Sequence, residues 1–477
     1  MRIVFLVISV ILSIVTASSV TLIKPSEDDF YTPPIGFENA EVGDILKFRE
    51  TPSQIKFILF PLNIKNSWQL LVRSEDSFGN PNAIVTTVME PHNADPNKVL
   101  SYQTFQDSTD INCSPSYAFL YGSSISTISI QVDVTLMTLA LNRGYYVVSP
   151  DYEGPKSTFM AGRQSGQATL NSIRAILNSK DITGIEPDAK VAIWGYSGGA
   201  VASGWATTLL PTYAPELEKN VIGTALGGVV TNITDYMRVV DGNIGAGLIP
   251  VGLIGLTNEY ENASYLLSEH VDPKQAYKLE KAREGCLLGS IIQFFGNNIL
   301  TGKNRMFPIG TDLLRIPELS TIIKNNNLVD LDTNEHFPKT PVFMYHGTLD
   351  LFVPIGDTLK TYRQWCEAGS PSIEFAEDLV NGHLTEAIIG APAAWTWLES
   401  RFDGVPPIDG CSRTKRLKNL LYPNISQATL DYFGGFIDAV TFAKIGYQGL
   451  ESDNITSSAF ERLLGDLGKF FGKRASI

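Results

Sequence analysis

The sequence predicts a doubly wound α/β fold, a mostly parallel sheet interrupted by a helical cap insertion. Three observations carry that reading. Apolar runs of buried-strand character recur along the chain and alternate with helix-like segments. One such run, Val191 to Trp194, enters Gly195-Tyr196-Ser197-Gly198-Gly199, after which the chain can run as a helix to Leu210. Past about residue 230 the strand signal gives way to helical segments, and a buried-strand pattern resumes at Pro341.

In chain order, Arg2 and the apolar run Ile3 to Val15 precede small residues at Val15-Thr16-Ala17, the pattern of a secretory leader cleaved after Ala17 or Ser19. The run is too short for a membrane span. A second apolar stretch, Ile244 to Leu256, is broken by Gly245, Gly247, Pro250 and Gly252 and suits a protein cap better than a bilayer. Strand-like runs follow the leader at Gln69 to Arg73, Ala83 to Met89 and Val99 to Phe105. Gly144 to Tyr152 has the continuous apolar character of a parallel strand buried on both faces. Gly166 to Leu177 is helical and leads into the strand before Ser197. Val221 to Val230 reads as one more sheet strand, and Pro273 to Arg283 and Leu287 to Phe295 read as helices. Pro341 to Gly347 and Ile373 to Val380 return to strand, and Ala391 to Arg401 to helix. Beyond Cys411 come glycine-punctuated apolar residues at 432–436 and a helix expected near Ser458 to Phe471. The expected organisation is a leader over 1–17, core over 18–214, helical cap over 215–335, core over 336–411, and a C-terminal extension or flap over 412–477.

The chain has 477 residues, 44% of them hydrophobic and only 18% charged, enough for a large core. Its formal net charge of −13 argues against nucleic acid and against charge-driven binding to anionic membranes. Four cysteines, Cys113, Cys286, Cys366 and Cys411, make two disulfides the expectation in a secreted chain, with three pairings open from sequence alone. Glycosylation sequons at Asn232, Asn262, Asn424 and Asn454 fit the same compartment.

Gly-x-Ser-x-Gly between a strand and a helix is the arrangement of a nucleophile elbow. It demands glycine at 195 and 199, where side chains would strike the neighbouring strand and helix. It also aims the helix N-terminus at any oxyanion formed beside Ser197. A serine nucleophile needs a base, and the base an acid, which in this arrangement follow the serine in that reversed order: acid, then histidine. Of five histidines, His92 precedes the serine, His270 lies in the cap and His336 at its end, both as surface residues, and His346 ends a buried strand as a structural residue. His383 remains, on a loop directly after a strand, where sites form in open α/β sheets. Asp350 follows the strand at 343–345 and is favoured as the acid over Asp357, which opens a helix.

The chain resembles the fungal secretory lipases, Candida-type extracellular lipases of the α/β-hydrolase fold. The resemblance spans nearly the whole mature chain. It rests on Ser101-Tyr102-Gln103, Cys113-Ser114-Pro115-Ser116-Tyr117, Gly144 to Val148 with Asp151-Tyr152-Glu153-Gly154, the elbow, and His346-Gly347 leading to Asp350. It implies Ser197, Asp350 and His383 as triad, and an oxyanion hole from Gly198 and a residue in the loop after Tyr102. Asp107 matches that position, with Ser108 and Thr109 as alternatives. It also implies disulfides Cys113–Cys286 and Cys366–Cys411.

These readings combine into a secreted serine hydrolase of lipid esters, a triacylglycerol lipase working at an oil–water interface without metal or cofactor. The rivals are a carboxylesterase or acyltransferase with the same triad, and a non-catalytic secreted binding module on a hydrolase fold. Apolar residues at 248–254, 287–288, 291–292 and 294–295 are expected both to pack the cap and to line an acyl-chain tunnel.

Overall fold

The computed structural model describes residues 22–440 apart from 59, with side chains as far as 434. The expected leader, the sequon at Asn454 and the helix expected near Ser458 to Phe471 lie outside the described residues.

Among the described residues, ten strands form one sheet. They are β1 (Ile45–Glu50), β2 (Asn66–Glu75), β3 (Pro81–Glu90), β4 (Asp95–Gln103), β5 (Tyr145–Pro150), β6 (Lys190–Tyr196), β7 (Val221–Gly227), β8 (Val342–Gly347), β9 (Ser372–Asp378) and β10 (Gly410–Arg416). Their order across the sheet is β1-β2-β3-β5-β4-β6-β7-β8-β9-β10. The first three pair antiparallel, and from β5 to β10 every neighbouring pair is parallel. The strand-order reversal around β4 and β5 is that of a doubly wound sheet, the α/β-hydrolase arrangement.

The helices that bear on the site are α1 (Val134–Asn142), α2 (Gly162–Leu177), α3 (Gly198–Tyr213), α4 (Ile233–Val240), α5 (Leu248–Glu259), α6 (Leu287–Phe294), α7 (Ile355–Glu367), α8 (His383–Ile389), α9 (Ala391–Phe402) and α10 (Gln427–Val440). Alternation along β6 divides the interior in two. Val191 and Ile193 join a core with α2, α3 and the cap helices, whereas Ala192 and Trp194 join a second core with α1 and α9. A strand that feeds both cores has no polar face, which is why β5 and β6 read as unbroken apolar runs.

Two expected boundaries shift. β7 sits between β6 and β8 inside the sheet, so the helical excursion occupies 228–341 rather than beginning at 215. β10 completes the sheet, so the extension starts after Arg416 rather than at 412. The reason is local: β10 reads Gly-Cys-Ser-Arg-Thr-Lys-Arg, an exposed, charged edge strand with no apolar run to announce it. Among the described residues, no single helix is long and apolar enough to cross a membrane. Disulfides join Cys113 to Cys286, tying the loop after β4 to the N-cap of α6, and Cys366 in α7 to Cys411 in β10. These are the pairs that the resemblance implies.

Candidate active site

Ser197 sits between β6 and α3 at φ 52°, a left-handed conformation that a serine adopts only under constraint. The constraint is visible in its neighbours. A Cβ at Gly195 would strike the Gly199 carbonyl and the Ser203 hydroxyl, and one at Gly199 would strike the Gln103 carbonyl of β4. The Ser197 N–H donates to Gly227 O at 2.9 Å, which pins the turn to the end of β7.

His383 is the first residue of α8, and its Nε2 lies 2.8 Å from Ser197 Oγ. Its Nδ1 lies 2.7 Å from Asp350 Oδ2. The Phe352 ring stacks on the imidazole at 5.3 Å between centroids, and the Tyr196 hydroxyl donates to His383 O at 2.6 Å. Asp350 is buried in the turn after β8, where its Oδ1 accepts the N–H groups of Phe352 and Val353, both at 2.8 Å. Burial opposes ionisation of Asp350, but the His383 and His346 rings outweigh it and hold the carboxyl well below the usual carboxylate range. His346 is wholly buried with Nε2 3.3 Å from Asp350 Oδ2 and 3.1 Å from Val353 O. The residue read as structural thus touches the same carboxylate oxygen as His383. Asp357 opens α7 and instead accepts from Asn232 Nδ2 at 3.3 Å.

The loop after β4 brings Asp107 to the same place. Asp107 has φ 46°, is buried, and presses Oδ1 against Gly198, where a Cβ would collide with it. That oxygen has no hydrogen-bond partner, and burial pushes the carboxyl up to about 7. The Asp107 backbone N–H faces the carboxyl of Glu153, which burial pushes well above the ordinary carboxyl range. Ser108 and Thr109, the alternatives, turn away: Ser108 N–H donates to Glu153 at 3.4 Å, Ser108 Oγ to Gly285 O at 3.1 Å, and Thr109 Oγ1 to Ala282 O at 2.8 Å.

Ser197, His383 and Asp107 open into a cavity of about 180 Å³ whose other walls are almost wholly apolar. Tyr236 of α4, Leu248 of α5, and Leu287 and Ile291 of α6 reach it from the cap, and Leu384 and Ile388 from α8. Phe433 of α10 closes one side, so the C-terminal extension reaches the site. Of the apolar cap residues singled out in the sequence, Leu253, Ile254 and Phe294 pack the interior, whereas Leu288, Ile292 and Phe295 are 38%, 69% and 55% exposed. A larger open cleft around Lys24, Asn112, Lys156 and Arg283 is polar and does not include Ser197.

The contacts of Tyr196, Phe352, Phe433 and His346 escape sequence reasoning. The first two neighbour Ser197 and Asp350 in the chain, which is the one signal that could have raised them. The sequon residue Asn232 is engaged: its side chain caps α4 through Asp235 N–H and donates to Asp235 and Asp357. Asn262 and Asn424 are exposed.

Residues 120–410 match the family described as "Secretory lipase". The chain is 54% identical to Lipase 1 of Candida albicans over 459 residues, 96% of this chain and 97% of that protein. It is 39% identical to Lipase A of Arthroderma benhamiae over 408 residues, 84% of each chain. Among solved structures, that of Candida antarctica lipase A superimposes with a TM-score of 0.77 at 28% identity, covering 87% of this chain and 96% of that one.

Proposed function

The chain belongs to the secretory lipase family and is an ester hydrolase, and from that premise we propose that it is a secreted triacylglycerol lipase using Ser197, His383 and Asp350 as its catalytic triad. The observation that carries the reading is the unbroken hydrogen-bonded path from Ser197 Oγ through His383 to Asp350, opening into an apolar cavity.

In this mechanism His383 Nε2 takes the hydroxyl proton as Ser197 attacks the ester carbonyl. Asp350 keeps the Nδ1–H tautomer and stabilises the imidazolium that forms. The imidazolium then protonates the departing alcohol, leaving an acyl-enzyme, and His383 activates water for the second half. Negative charge on the carbonyl oxygen develops at the N-terminus of α3, where the Gly198 N–H would receive it. The second donor is Asp107. With its N–H turned to Glu153 and its carboxyl raised to about 7, the group available to the oxyanion is the carboxyl proton. The cap over 228–341 would hold the acyl chain, and the disulfides and the leader-like N-terminus support secretion.

The test is covalent labelling by an organophosphonate with turnover of emulsified triacylglycerol, in wild type, Ser197→Ala and His383→Ala. Both variants should lose turnover by several orders of magnitude, and Ser197→Ala should lose labelling as well. Wild-type-like activity in either variant refutes the assignment. The rival of an esterase or acyltransferase on shorter acyl groups has one observation in its favour. The cavity of about 180 Å³ falls below the roughly 300–1,000 Å³ common for ligand pockets.

A further inference from the structure

Two carboxyl groups meet, buried, behind the loop that carries His383, and the reaction described above uses neither. The loop leaves β9 at Asp378 and enters α8 at His383, and Glu386 lies one helical turn further on. Asp378 Oδ1 accepts the N–H groups of Val380 and Asn381, each at 2.9 Å. Its Oδ2 accepts Asn381 Nδ2 at 2.8 Å and Asn419 N–H at 2.7 Å. Glu386 is fully buried beside it. Its Oε1 accepts Asn419 Nδ2 at 2.6 Å, its Oε2 receives no donor, and the Asp378 side chain is the carboxyl's neighbour.

Two oxygens of this kind, both acceptors, hold together only with a hydrogen between them. Four N–H donors already converge on Asp378, whereas Glu386 has one donor and an empty oxygen. The missing hydrogen therefore sits on Glu386. We propose that Glu386 is a positioning residue for His383, acting as a carboxylic acid whose proton bridges Oε2 to Asp378 and so closes the loop on which His383 is carried.

The bridge is tied to the reacting groups on both sides. Asp378 O accepts Thr348 N–H at 2.7 Å and Asn381 O accepts Leu349 N–H at 3.0 Å, which stitches the His383 loop to the turn that bears Asp350. Moving the loop would therefore disturb the 2.7 Å contact between His383 and Asp350. Burial first, then the Asp378 charge, push Glu386 well above the ordinary carboxyl range, which agrees with a bound proton. The titratable groups facing Glu386 are Asp378 on β9, Asp350 after β8, Tyr345 on β8, Tyr196 on β6 and His383 on its own helix. A group whose value is raised on folding contributes stability that is complete at low pH and lost as pH rises through the raised value. Ionised Glu386 would then face ionised Asp378 and loosen the loop.

The inference rests on His383 as the catalytic base, and its test separates the two. In the full-length protein, Glu386→Gln keeps a donor to Asp378 and an acceptor for Asn419 but cannot ionise. It should retain near-wild-type kcat on a soluble nitrophenyl ester. Its melting temperature should fall less than that of wild type as pH rises. The wild-type minus E386Q infrared difference spectrum should show the C=O stretch of one protonated carboxylic acid. Glu386→Leu should lower kcat about a hundredfold with little change in KM, the scale of a displacement of about 1 Å at a reacting group. Should Glu386→Leu fail to fold, the Gln variant and the infrared band still decide. An inactive E386Q, no acid band in the difference spectrum, or wild-type kcat in a folded Glu386→Leu overturns the proposal. His383→Ala retaining turnover would instead overturn the triad and leave the acid band intact.

Discussion

Asp107 is the residue on which the pH response should turn. Burial raises its carboxyl from the ordinary range to about 7, so the folded protein holds this proton where an unfolded chain would have released it. Its contribution to stability is complete below the unfolded value and lost as pH rises through about 7. If the carboxyl proton serves the oxyanion, kcat/KM should fall across the same window. Asp107→Asn keeps an N–H donor at every pH, so its alkaline loss of kcat/KM should move upward. Asp107→Ala should cost about 10²–10³ in kcat, the usual loss of one oxyanion donor. An unchanged alkaline limb in Asp107→Asn would remove the carboxyl from the oxyanion hole. A second ranking tests the acid of the triad. Asp350→Asn should lose about 10⁴ in kcat because the His383 tautomer inverts, whereas Asp357→Asn, which disturbs only the contact with Asn232, should be mild. Ser197, Asp350 and His383 are legible in the sequence because each carries a local mark: the elbow, a turn after a buried strand, and a loop after the next strand. The contact of His346 with Asp350, and the turning of Ser108 and Thr109 toward the cap, are not legible, since each depends on a partner fixed by tertiary packing.

At the scale of elements, legibility follows burial. β5 and β6, buried on both faces, announce themselves as apolar runs, whereas the edge strands β1 and β10 carry Lys47, Arg49, Arg413 and Lys415 and leave no such signal. A cap start at 215 falls ahead of β7, which reads as a strand in the sequence; what the sequence does not show is that β8, after the excursion over 228–341, returns to pair beside it. The two disulfides tie together elements that lie far apart in the chain. Cys113–Cys286 anchors α6 and its cavity-lining Leu287 and Ile291 to the loop behind Asp107, and Cys366–Cys411 fastens α7 to the polar edge strand β10. In the chain-entropy account, closures with separations of 173 and 45 residues stabilise by about 5 and about 4 kcal/mol, respectively. Paired Cys→Ser replacement should lower the unfolding free energy by up to these amounts. Peptide mapping without reduction should return only these two links. Glycan mapping gives an independent check on α4. Its N-cap Asn232 donates its amide to Asp235 and Asp357, so a sugar on that nitrogen would leave one N–H for the two bonds and crowd the cap. Secreted protein should carry glycan at Asn262 or Asn424 and none at Asn232.

Across the whole molecule, the sheet supplies the reacting groups, the cap supplies most of the apolar wall, and the C-terminal extension adds Phe433. That division sets what the enzyme should prefer. A water-soluble acetate ester has nothing to place against Leu248, Leu287 and Ile291, whereas each further methylene that reaches them adds up to about 0.8 kcal/mol of binding. This energy appears in kcat/KM only while there is wall to cover, and a cavity of about 180 Å³ runs out after a short chain. A lipase built this way must therefore extend the cavity when substrate enters. The walls that would have to part are the far end of α6, past its disulfide-held N-cap, and α10. If they do move, kcat/KM should climb from acetyl to medium and long acyl esters, and emulsified triacylglycerol should release fatty acid. If they do not, the profile should peak at short chains. Ile291→Trp fills the wall from the cap side. It should depress long-chain turnover at least tenfold more than acetate turnover, a difference of about 1.4 kcal/mol, because Ser197, His383 and Asp350 are untouched. The decisive measurement is kcat/KM across an acyl series for wild type and Ile291→Trp, with fatty-acid release from an emulsion. A wild-type maximum at acetate with no release would keep the triad and replace the lipase reading with the esterase one, and equal losses at every chain length in Ile291→Trp would remove α6 from the acyl path.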